Sequence, residues 1–337
     1  MSGVALGPVV GVDVGGSKTK ALVADAGGRV LGSGAGPGGN RQVVGADGFR
    51  VAVDTATDAA LAAAGVSRAD VLAVHIGAAG LDFPEDGEEL LAAVGDAYPN
   101  VVVENDALLG LHAGSRTGWG GVVVGGSGTN AAAVAPDGRV LFVGGVGWHT
   151  GDLGGASMLG VEALRLAIRS WEEREAPTEL CRLVVELTGA GDMAEVYQRA
   201  AVFQGPDPLT VAPLVVRAAR DGDGPARELL ERFGREMGAA VGTALRRLDL
   251  ADVDPEVVAF GGLFAMDASG HLLVGLLDAL SRYVETPEVT VLDVEPVVGA
   301  AVAALRRIGN NRTDLADVVR RSWREHVGDG LTREAAP

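Results

Sequence analysis

The feature that most constrains this chain is an internal repeat. Residues 11–34 and residues 121–144 are identical at 13 of 24 aligned positions, and the turn glycines fall in register. Chance rarely produces such agreement, so the repeat indicates a duplicated structural unit. Each copy places a Gly-Gly-Ser loop between two apolar runs typical of strands, and backbone N–H groups in such a loop can bind an anion. We therefore predict two related lobes whose loops hold a phosphate group across a cleft.

The size and composition of the chain permit two globular domains. It has 337 residues, of which 47% are hydrophobic and 22% charged, so sizeable cores can form. The formal charge of -17 repels a phosphate backbone, so we expect no nucleic-acid partner. No apolar stretch reaches the length of a membrane span and no leader pattern opens the chain, so we expect a cytoplasmic protein without a membrane partner.

Hydrophobic periodicity predicts a similar order of elements in both copies. Three strands within residues 9–34 form an antiparallel meander and precede a helix, a strand, a helix, a strand and a helix. The second copy begins with its own meander at residues 121–143, continues with helix-rich sequence, and returns to strand and helix after residue 256. We predict an α/β protein. Its expected parts are an N-terminal lobe at 1–116 and a C-terminal lobe at 117–337 with a helical insert at about 156–250.

The first Gly-Gly-Ser loop is not a P-loop. Gly11 and Gly16 have the right separation, but the next residue is Ser17 where that motif requires lysine. The sequence after the loop alternates like a strand, whereas a P-loop opens a helix. One such loop alone would be interpreted as an ordinary hairpin turn. The duplication is what favours phosphate binding.

The two copies differ at two informative positions. Asp13 in the first copy corresponds to Val123 in the second, and Lys18 corresponds to Gly128. A carboxylate at a strand end beside a phosphate loop is unfavourable unless a cation lies between them, so we predict that Asp13 binds Mg²⁺ through water. Lys18 is either a contact to a terminal phosphate or a solvated turn lysine.

Asp106 follows an apolar run at residues 101–103 and precedes a predicted helix. This order places its carboxylate at the edge of a parallel sheet where ligands bind in open α/β folds. Such an aspartate either caps the helix or acts as a base. His75 lies inside a predicted strand and is interpreted as a buried neutral histidine rather than a base. Gly261 and Gly262 follow another short strand and would let a ligand lie against the backbone.

Taken together, these segments resemble the superfamily of sugar kinases, Hsp70 and actin. The resemblance extends over nearly the whole chain. Within that superfamily the sequence is similar to the N-acetylglucosamine kinase branch, which is related to the BadF/BadG/BcrA/BcrD ATPases. The motifs that carry the resemblance are residues 13–19, 38–40, 104–106, 125–130, 147–155, 260–262 and 297–305.

The resemblance implies two ribonuclease H-like, actin-like ATPase lobes with a cleft between them. It also implies ATP-dependent phosphorylation of an amino sugar, N-acetylglucosamine or glucosamine, at O6, with ATP and Mg²⁺ as cofactors, Asp106 as general base and a homodimer as the assembly. The implied binding residues are Gly15, Gly16, Ser17, Lys18, Thr19, Gly126, Ser127, Gly128 and Thr129 for phosphate, Gly261 and Gly262 for adenosine, and Asn40, Gly77, Asn105, Asp106, Asn130, Trp148 and Asp152 for the sugar.

Some features of the chain depart from this pattern or fit other roles. Leu153 and Gly155 stand where the family usually has glutamate and serine, and Trp148 fits simple packing as well as sugar contact. Related iron–sulfur activators and a group of bacterial glucokinases and repressors need cysteine clusters, and this chain has Cys181 alone. A non-catalytic sugar or nucleotide sensor, or an ATPase that activates another enzyme, is the alternative. A sensor needs neither a metal carboxylate nor a base, so Asp13 and Asp106 favour the kinase.

Overall fold

The computed structural model describes residues 7–328, which form two compact units. Unit 1 contains the chain up to Gly118 together with the segment from Leu292 onward, and unit 2 contains Trp119–Val291. The sequence-based division placed all residues after 116 in one lobe. In the structure, the C-terminal segment belongs to unit 1, because its long helix packs across the sheet of that unit.

Ten strands and twelve α-helices form within the described residues. In chain order they are β1 (Val9–Val14), β2 (Lys18–Ala24), β3 (Val30–Pro37), α1 (Arg41–Ala64), β4 (Ala73–Ala78), α2 (Pro84–Val94), β5 (Val101–Asn105), α3 (Ala107–Gly114), β6 (Gly120–Gly125), β7 (Thr129–Val134), β8 (Val140–Phe142), α4 (Ala156–Trp171), α5 (Leu180–Thr188), α6 (Met193–Ala201), α7 (Pro208–Arg220), α8 (Gly224–Arg247), β9 (Val257–Phe260), α9 (Gly262–Met266), α10 (His271–Leu280), β10 (Val289–Val291), α11 (Val297–Arg307) and α12 (Leu315–Val327).

The two units contain sheets of the same topology. The strand order is β3-β2-β1-β4-β5 in unit 1 and β8-β7-β6-β9-β10 in unit 2. In each sheet the first three strands form an antiparallel meander, and the last two join in parallel. The predicted duplicated α/β architecture is therefore confirmed.

Strand β1 shows how the sheet of unit 1 is covered on both faces. Val10, Val12 and Val14 are buried in a core that includes residues of α1. On the other face, a Cβ at Gly11 would lie 2.2 Å from the backbone nitrogen of Ala301 in α11. Only glycine permits so close a crossing. This contact brings α11 back onto the sheet of unit 1, although the helix follows unit 2 in the sequence.

Helix α1 begins earlier than its apolar pattern indicates. Apolar residues recur at helical spacing over residues 47–64 and predict a helix there, but the helix begins at Arg41. The Oδ1 atom of Asn40 accepts a hydrogen bond from the backbone N–H of Gln42 and caps the helix. Gly45 interrupts the first turns with φ of 68°. The prediction missed this start because Val43 and Val44 are exposed rather than in the core, and Gly45 interrupts the hydrophobic period.

Helix α7 also begins before its predicted start. The helix-rich sequence of the insert predicts a helix over residues 213–220, with Pro213 as its first residue; proline is favoured at that position. The structure uses Pro208 in that role, with the side chain of Asp207 accepting a hydrogen bond from Leu209 N–H. Pro213 lies inside the helix. Either proline could be the first residue of the helix, and the cap by Asp207 places the start at Pro208.

Unit 2 has one large core shared by its sheet and its helices. Five helices, α4 to α8, lie between β8 and β9 in the sequence. Val123 of β6 is fully buried and packs in the same core as residues of α4, α7 and α8. No helix in residues 7–328 is long and apolar enough to cross a membrane.

Candidate functional site

The Gly-Gly-Ser loop of unit 1 is a tight hairpin between β1 and β2. The N–H of Gly15 donates to the carbonyl of Lys18 at 3.0 Å, and the N–H of Gly39 donates to the carbonyl of Gly15 at 3.0 Å. Gly16, Ser17 and Lys18 are exposed at the tip. The loop is therefore fixed by its own backbone and by the segment that leads into α1, while its tip stays accessible.

The corresponding loop of unit 2 is one residue tighter. The N–H of Gly126 donates to the carbonyl of Gly128 at 2.9 Å. The first turn of α4 supports the loop, since the N–H groups of Ala156 and Ser157 donate to the carbonyls of Gly126 and Ser127 at 2.8 and 3.0 Å. These two N–H groups at the N-terminus of α4 are therefore engaged within unit 2, whereas Ser127 and Gly128 remain exposed at the tip of the loop.

The glycines of these motifs fall into two groups. The fold itself requires glycine at positions 155 and 261. Both residues have positive φ, and a Cβ on Gly155 or Gly261 would lie 2.5 Å from backbone atoms of Gly128 or Gly125, respectively. Gly16, Gly128 and Gly262 have no such reason: a Cβ on each would meet no atom within 4 Å, and none has φ in the left-handed region. A glycine without an internal cause is what close approach of a ligand to the backbone requires.

The two predicted phosphate-binding threonines support their hairpins. The hydroxyl of Thr19 is fully buried and donates to the carbonyl of Pro37 at 2.8 Å. The hydroxyl of Thr129 donates to the carbonyl of Val124 at 2.9 Å. Both hydroxyl protons are therefore engaged within their own units.

Asp13 lies on β1 between Lys20 of β2 and Gly77 of β4. Burial raises the pKa of its carboxyl to about 7, and the negative charges of Asp106 and Glu295 contribute to the rise. Lys20 forms an ion pair with Glu295, so its charge is shared between two carboxylates. Sequence reasoning missed Lys20 and Glu295. The alternation of β2 could have identified Lys20, which pairs directly with Asp13, but only the fold brings the segment before α11 to β1.

Asp106 stands at the end of β5 and at the start of α3, as predicted. Its side chain does not cap the helix, because the Oδ1 atom of Asn105 accepts the hydrogen bond from Ala107 N–H at 2.9 Å. Burial raises the pKa of Asp106 to about 6, and the charge of Asp82 adds to the rise. The backbone N–H of Ala107 opposes this rise without cancelling it. A desolvated carboxylate with a raised pKa at a strand end is typical of functional groups.

Asn105 and Gly77 have clear structural roles beside Asp106. The amide of Asn105 donates to the carbonyl of Leu81 at 2.8 Å, which ties the end of β5 to the segment after β4. A Cβ at Gly77 would lie 2.4 Å from the side chain of Leu109 in α3. Both residues were predicted as sugar ligands; the structure shows them holding α3 and its first residues in place.

Asn40 and Asp82 lie in one polar cluster of unit 1. A Cβ at Gly80 would lie 2.4 Å from Oδ1 of Asn40, and the side chain of Gln42 donates to Asp82 at 2.7 Å. Asp82 also acts electrostatically on Asp106. The cluster links the predicted sugar residue Asn40 to the predicted base. Sequence reasoning missed Asp82, because nothing in its local pattern distinguishes it from a turn aspartate.

In unit 2, Asp152 organises the loop after β8. Its Oδ2 atom accepts hydrogen bonds from the N–H groups of Gly145 and Gly147 at 3.0 and 2.7 Å. Gly145 also lies against Asn130, since a Cβ there would be 2.5 Å from Oδ1 of that residue. Asp152 lines a cavity of about 330 Å³ that is also lined by Leu153.

Trp148 is 61% exposed, and its ring lies 3.8 Å from that of His149 between ring centroids. An exposed indole beside a polar loop is not a packed core tryptophan. The packing interpretation of Trp148 is therefore wrong, and its ring offers a flat apolar face to solvent.

Comparisons with known proteins identify the family of this chain. The sequence profile of the BadF/BadG/BcrA/BcrD ATPase family matches residues 10–304, and the chain belongs to this family. It is 26% identical over 205 residues to the N-acetylmuramic acid/N-acetylglucosamine kinase of Clostridium acetobutylicum, over 59% of this chain and 66%, just under two thirds, of that relative. The family predicted from the sequence is thus confirmed.

Two solved structures show the same fold. A protein of Chromobacterium violaceum assigned as an N-acetylglucosamine kinase superimposes with a TM-score of 0.64 at 26% identity, covering 89% of this chain and 99% of its own. A ROK family glucokinase of Streptomyces griseus superimposes with a TM-score of 0.52 at 21% identity, covering 88% and 98%. The predicted actin-like ATPase fold class is confirmed, and the chain is distantly similar to sugar kinases.

Proposed function

We propose that this chain is an ATP-dependent kinase that phosphorylates an amino sugar, N-acetylglucosamine or glucosamine, at O6. The observation that supports this most is the carboxylate of Asp106. It is desolvated at the end of a parallel strand, and Asn105 performs the capping task that would otherwise explain an aspartate there. The family of ATPases and the similarity to amino-sugar kinases support the same reaction.

The two Gly-Gly-Ser loops would serve the phosphates of ATP. Of the loops at residues 15–17 and 126–129, the N–H groups of Gly15 and Gly126 are already bonded inside their hairpins. The N–H groups at the exposed tips would donate to phosphate oxygens, and the absence of side chains at Gly16 and Gly128 would let these oxygens approach. Lys18 would reach the terminal phosphate as a point charge. Gly262 would leave room for adenosine against the start of α9.

Asp13 fits a magnesium ligand. Mg²⁺ is usually held by one or two carboxylates together with water and substrate phosphates. The carboxyl of Asp13 is destabilised in its charged form by burial and by Asp106 and Glu295, and a divalent cation would reverse this cost. When bound, the ion would neutralise charge on the phosphates.

In the transfer step, the sugar hydroxyl oxygen would bond to the γ-phosphorus while the bond to the β–γ bridging oxygen breaks and ADP departs. Asp106 would orient the hydroxyl and accept its proton. Asn105 and Leu81 hold Asp106 in place. Asn40, Asn130 and Asp152 would position the sugar, with Trp148 offering a stacking face.

The experiment is ADP release over a panel of glucosamine, N-acetylglucosamine, N-acetylmuramic acid, N-acetylmannosamine and glucose. Asp106→Asn should lower turnover by about 10³-fold, because general-base catalysis and orientation are lost together, with nucleotide affinity nearly unchanged. Asp137→Asn, an exposed turn aspartate of unit 2, is the control. Full activity in Asp106→Asn would refute the role given to this residue.

The alternative function gives a different pattern in the same assay. A sensor would bind sugar or nucleotide without ADP release. An ATPase that activates another enzyme would release ADP independently of every sugar in the panel. Either result would replace the kinase proposal.

A further inference from the structure

The interior of unit 1 contains a cluster that the kinase chemistry does not use. This cluster consists of the side chains of His75 of β4, Glu104 of β5 and His112 of α3. The Nε2 atoms of His75 and His112 lie 2.8 and 3.0 Å from the same oxygen, Oε1 of Glu104. The prediction that His75 is buried is confirmed, since it is 4% exposed.

The register of the sheet explains why these side chains converge. His75 pairs with Val102, and Gly77 pairs with Glu104, so all four positions lie on one face of neighbouring parallel strands. Gly77 has no side chain, which leaves α3 close to this face through Leu109. Three rigid elements therefore hold the cluster.

Hydrogen bonding alone accounts poorly for the arrangement. Within residues 7–328, neither nitrogen of His75, nor Nδ1 of His112, nor Oε1 of Glu104 has a well-aligned hydrogen-bond partner. Buried polar atoms normally find partners, and exceptions indicate a missing ion or water. Both imidazole nitrogens point at one oxygen from different directions, with the rings at 86° to each other.

We propose that His75, Glu104 and His112 bind a divalent transition-metal ion, most suitably Zn²⁺. Two histidine nitrogens and a carboxylate oxygen form a known zinc ligand set. The three ligand atoms lie within 4.8 Å of one another. Tetrahedral coordination at 2.0–2.1 Å needs ligand atoms about 3.4 Å apart, so each histidine nitrogen would move away from Oε1 of Glu104 by about half an ångström. The side chains of Glu104 and His112 are 19% and 17% exposed, which gives an ion and a fourth, water ligand access.

The role of this metal would be structural. It would join β4, β5 and α3 at the point from which Asp106 projects, two residues after Glu104. The site is separate from the Mg²⁺ site proposed at Asp13, because nitrogen ligands select Zn²⁺ over the oxygen-seeking Mg²⁺.

The test uses the full chain, freed of metal with EDTA and titrated with Co²⁺ and then Zn²⁺ without ATP or sugar. We expect one equivalent of Co²⁺ with the intense visible bands of tetrahedral coordination, displaced by one equivalent of Zn²⁺. His112→Gln and Glu104→Gln should each weaken Zn²⁺ binding by at least about 100-fold. The control is His271→Gln, since His271 pairs with the single carboxylate of Glu231 in unit 2.

Zn²⁺ should also raise the melting temperature of the wild-type chain and of His271→Gln, but not that of His112→Gln. Wild-type binding no tighter than that of His112→Gln, or a weak octahedral Co²⁺ spectrum, would overturn the proposal. Should a variant fail to fold, the wild-type titration decides alone, because absence of one tight equivalent overturns it. The result is independent of the kinase proposal, since no nucleotide or sugar is present.

Discussion

The two Gly-Gly-Ser hairpins have almost the same sequence but different geometry. In unit 1, Val14 pairs with Thr19 across the turn. In unit 2, the equivalent Val124 pairs with Asn130, so the register differs by one residue. The difference extends to the strand before the loop, where Asp13 is half-buried among charged groups and Val123 is fully buried in the apolar core. Duplication thus preserved the sequence of the loop, while only the first copy has a carboxylate at this position of the strand.

The largest effect is expected from making unit 2 resemble unit 1. Val123→Asp would place a carboxylate in the core around β6, with no partner there comparable to Lys20. An unpaired buried charge costs about 3–5 kcal/mol, enough to unfold many domains. Chemical denaturation should show this loss, and Val123→Ala should lose clearly less. A Val123→Asp variant as stable as wild type would show that position 123 tolerates charge as position 13 does.

A change in unit 1, Asp13→Asn, should stabilise the chain by an amount that grows as the pH rises from about 4 to about 7. The carboxyl has a pKa of about 7 in the folded protein and about 3.8 when unperturbed. Between these values the folded state holds a proton that the unfolded state has lost, so wild-type stability falls as pH rises. The variant has no carboxyl at position 13, so its stability does not fall with pH for this reason. Its advantage should open above pH 4 and reach about 1–3 kcal/mol by pH 8, after allowance for partial exposure.

Thermal melts at pH 4 and pH 8 without Mg²⁺ and ATP measure this gap. Asp25→Asn, a turn aspartate of unit 1 outside the site, is the control. The electrostatic argument would be contradicted if the variant and the wild type differed in melting temperature by the same amount at both pH values. A variant less stable than wild type at pH 8 would also contradict it. The variant should also lose Mg²⁺-dependent activity, the usual exchange of stability for function.

The loop tips offer a smaller but more specific comparison. Gly16→Ala and Gly128→Ala create no contact within the protein and no strained φ, so melting temperatures should change little. If phosphate approaches the backbone there, each added methyl group should raise KM for ATP about tenfold, or about 1.4 kcal/mol. Gly155→Ala is the matched control, because its Cβ would collide with Gly128 and should lower stability as well. Unchanged KM in both tip variants would remove the loops from the nucleotide site.

The sequence predicted the architecture better than the site. Repeated glycines and strand periods identified both meanders and their topology, because local pattern determines these features. It also predicted that Asp106 lies between a strand and a helix and that each Gly-Gly-Ser loop joins two strands. It did not show that Asn105 caps α3, that Glu295 reaches Asp13, or that His75 meets Glu104 and His112. The contacts of Glu295 with Asp13 and of His75 with Glu104 join segments that are distant in the chain, which no local pattern encodes. The cap of α3 is local, but two adjacent polar residues, Asn105 and Asp106, could each have formed it.

The smallest effect concerns pH and separates the two carboxylates of unit 1. Asp106 must be ionised to accept a proton, and its pKa is raised to about 6. At saturating Mg²⁺, kcat/KM should therefore fall below pH 6 and reach about a quarter of its plateau at pH 5.5. If Asp13 caused the fall in kcat/KM, the midpoint of that fall would instead move to lower pH as Mg²⁺ increases, because the cation favours the charged carboxylate. A Mg²⁺-independent limb near pH 6 supports Asp106 as the base. If the pH at which kcat/KM falls changes with Mg²⁺, the titrating group is Asp13. Asp106 would then orient the sugar without titrating in this range.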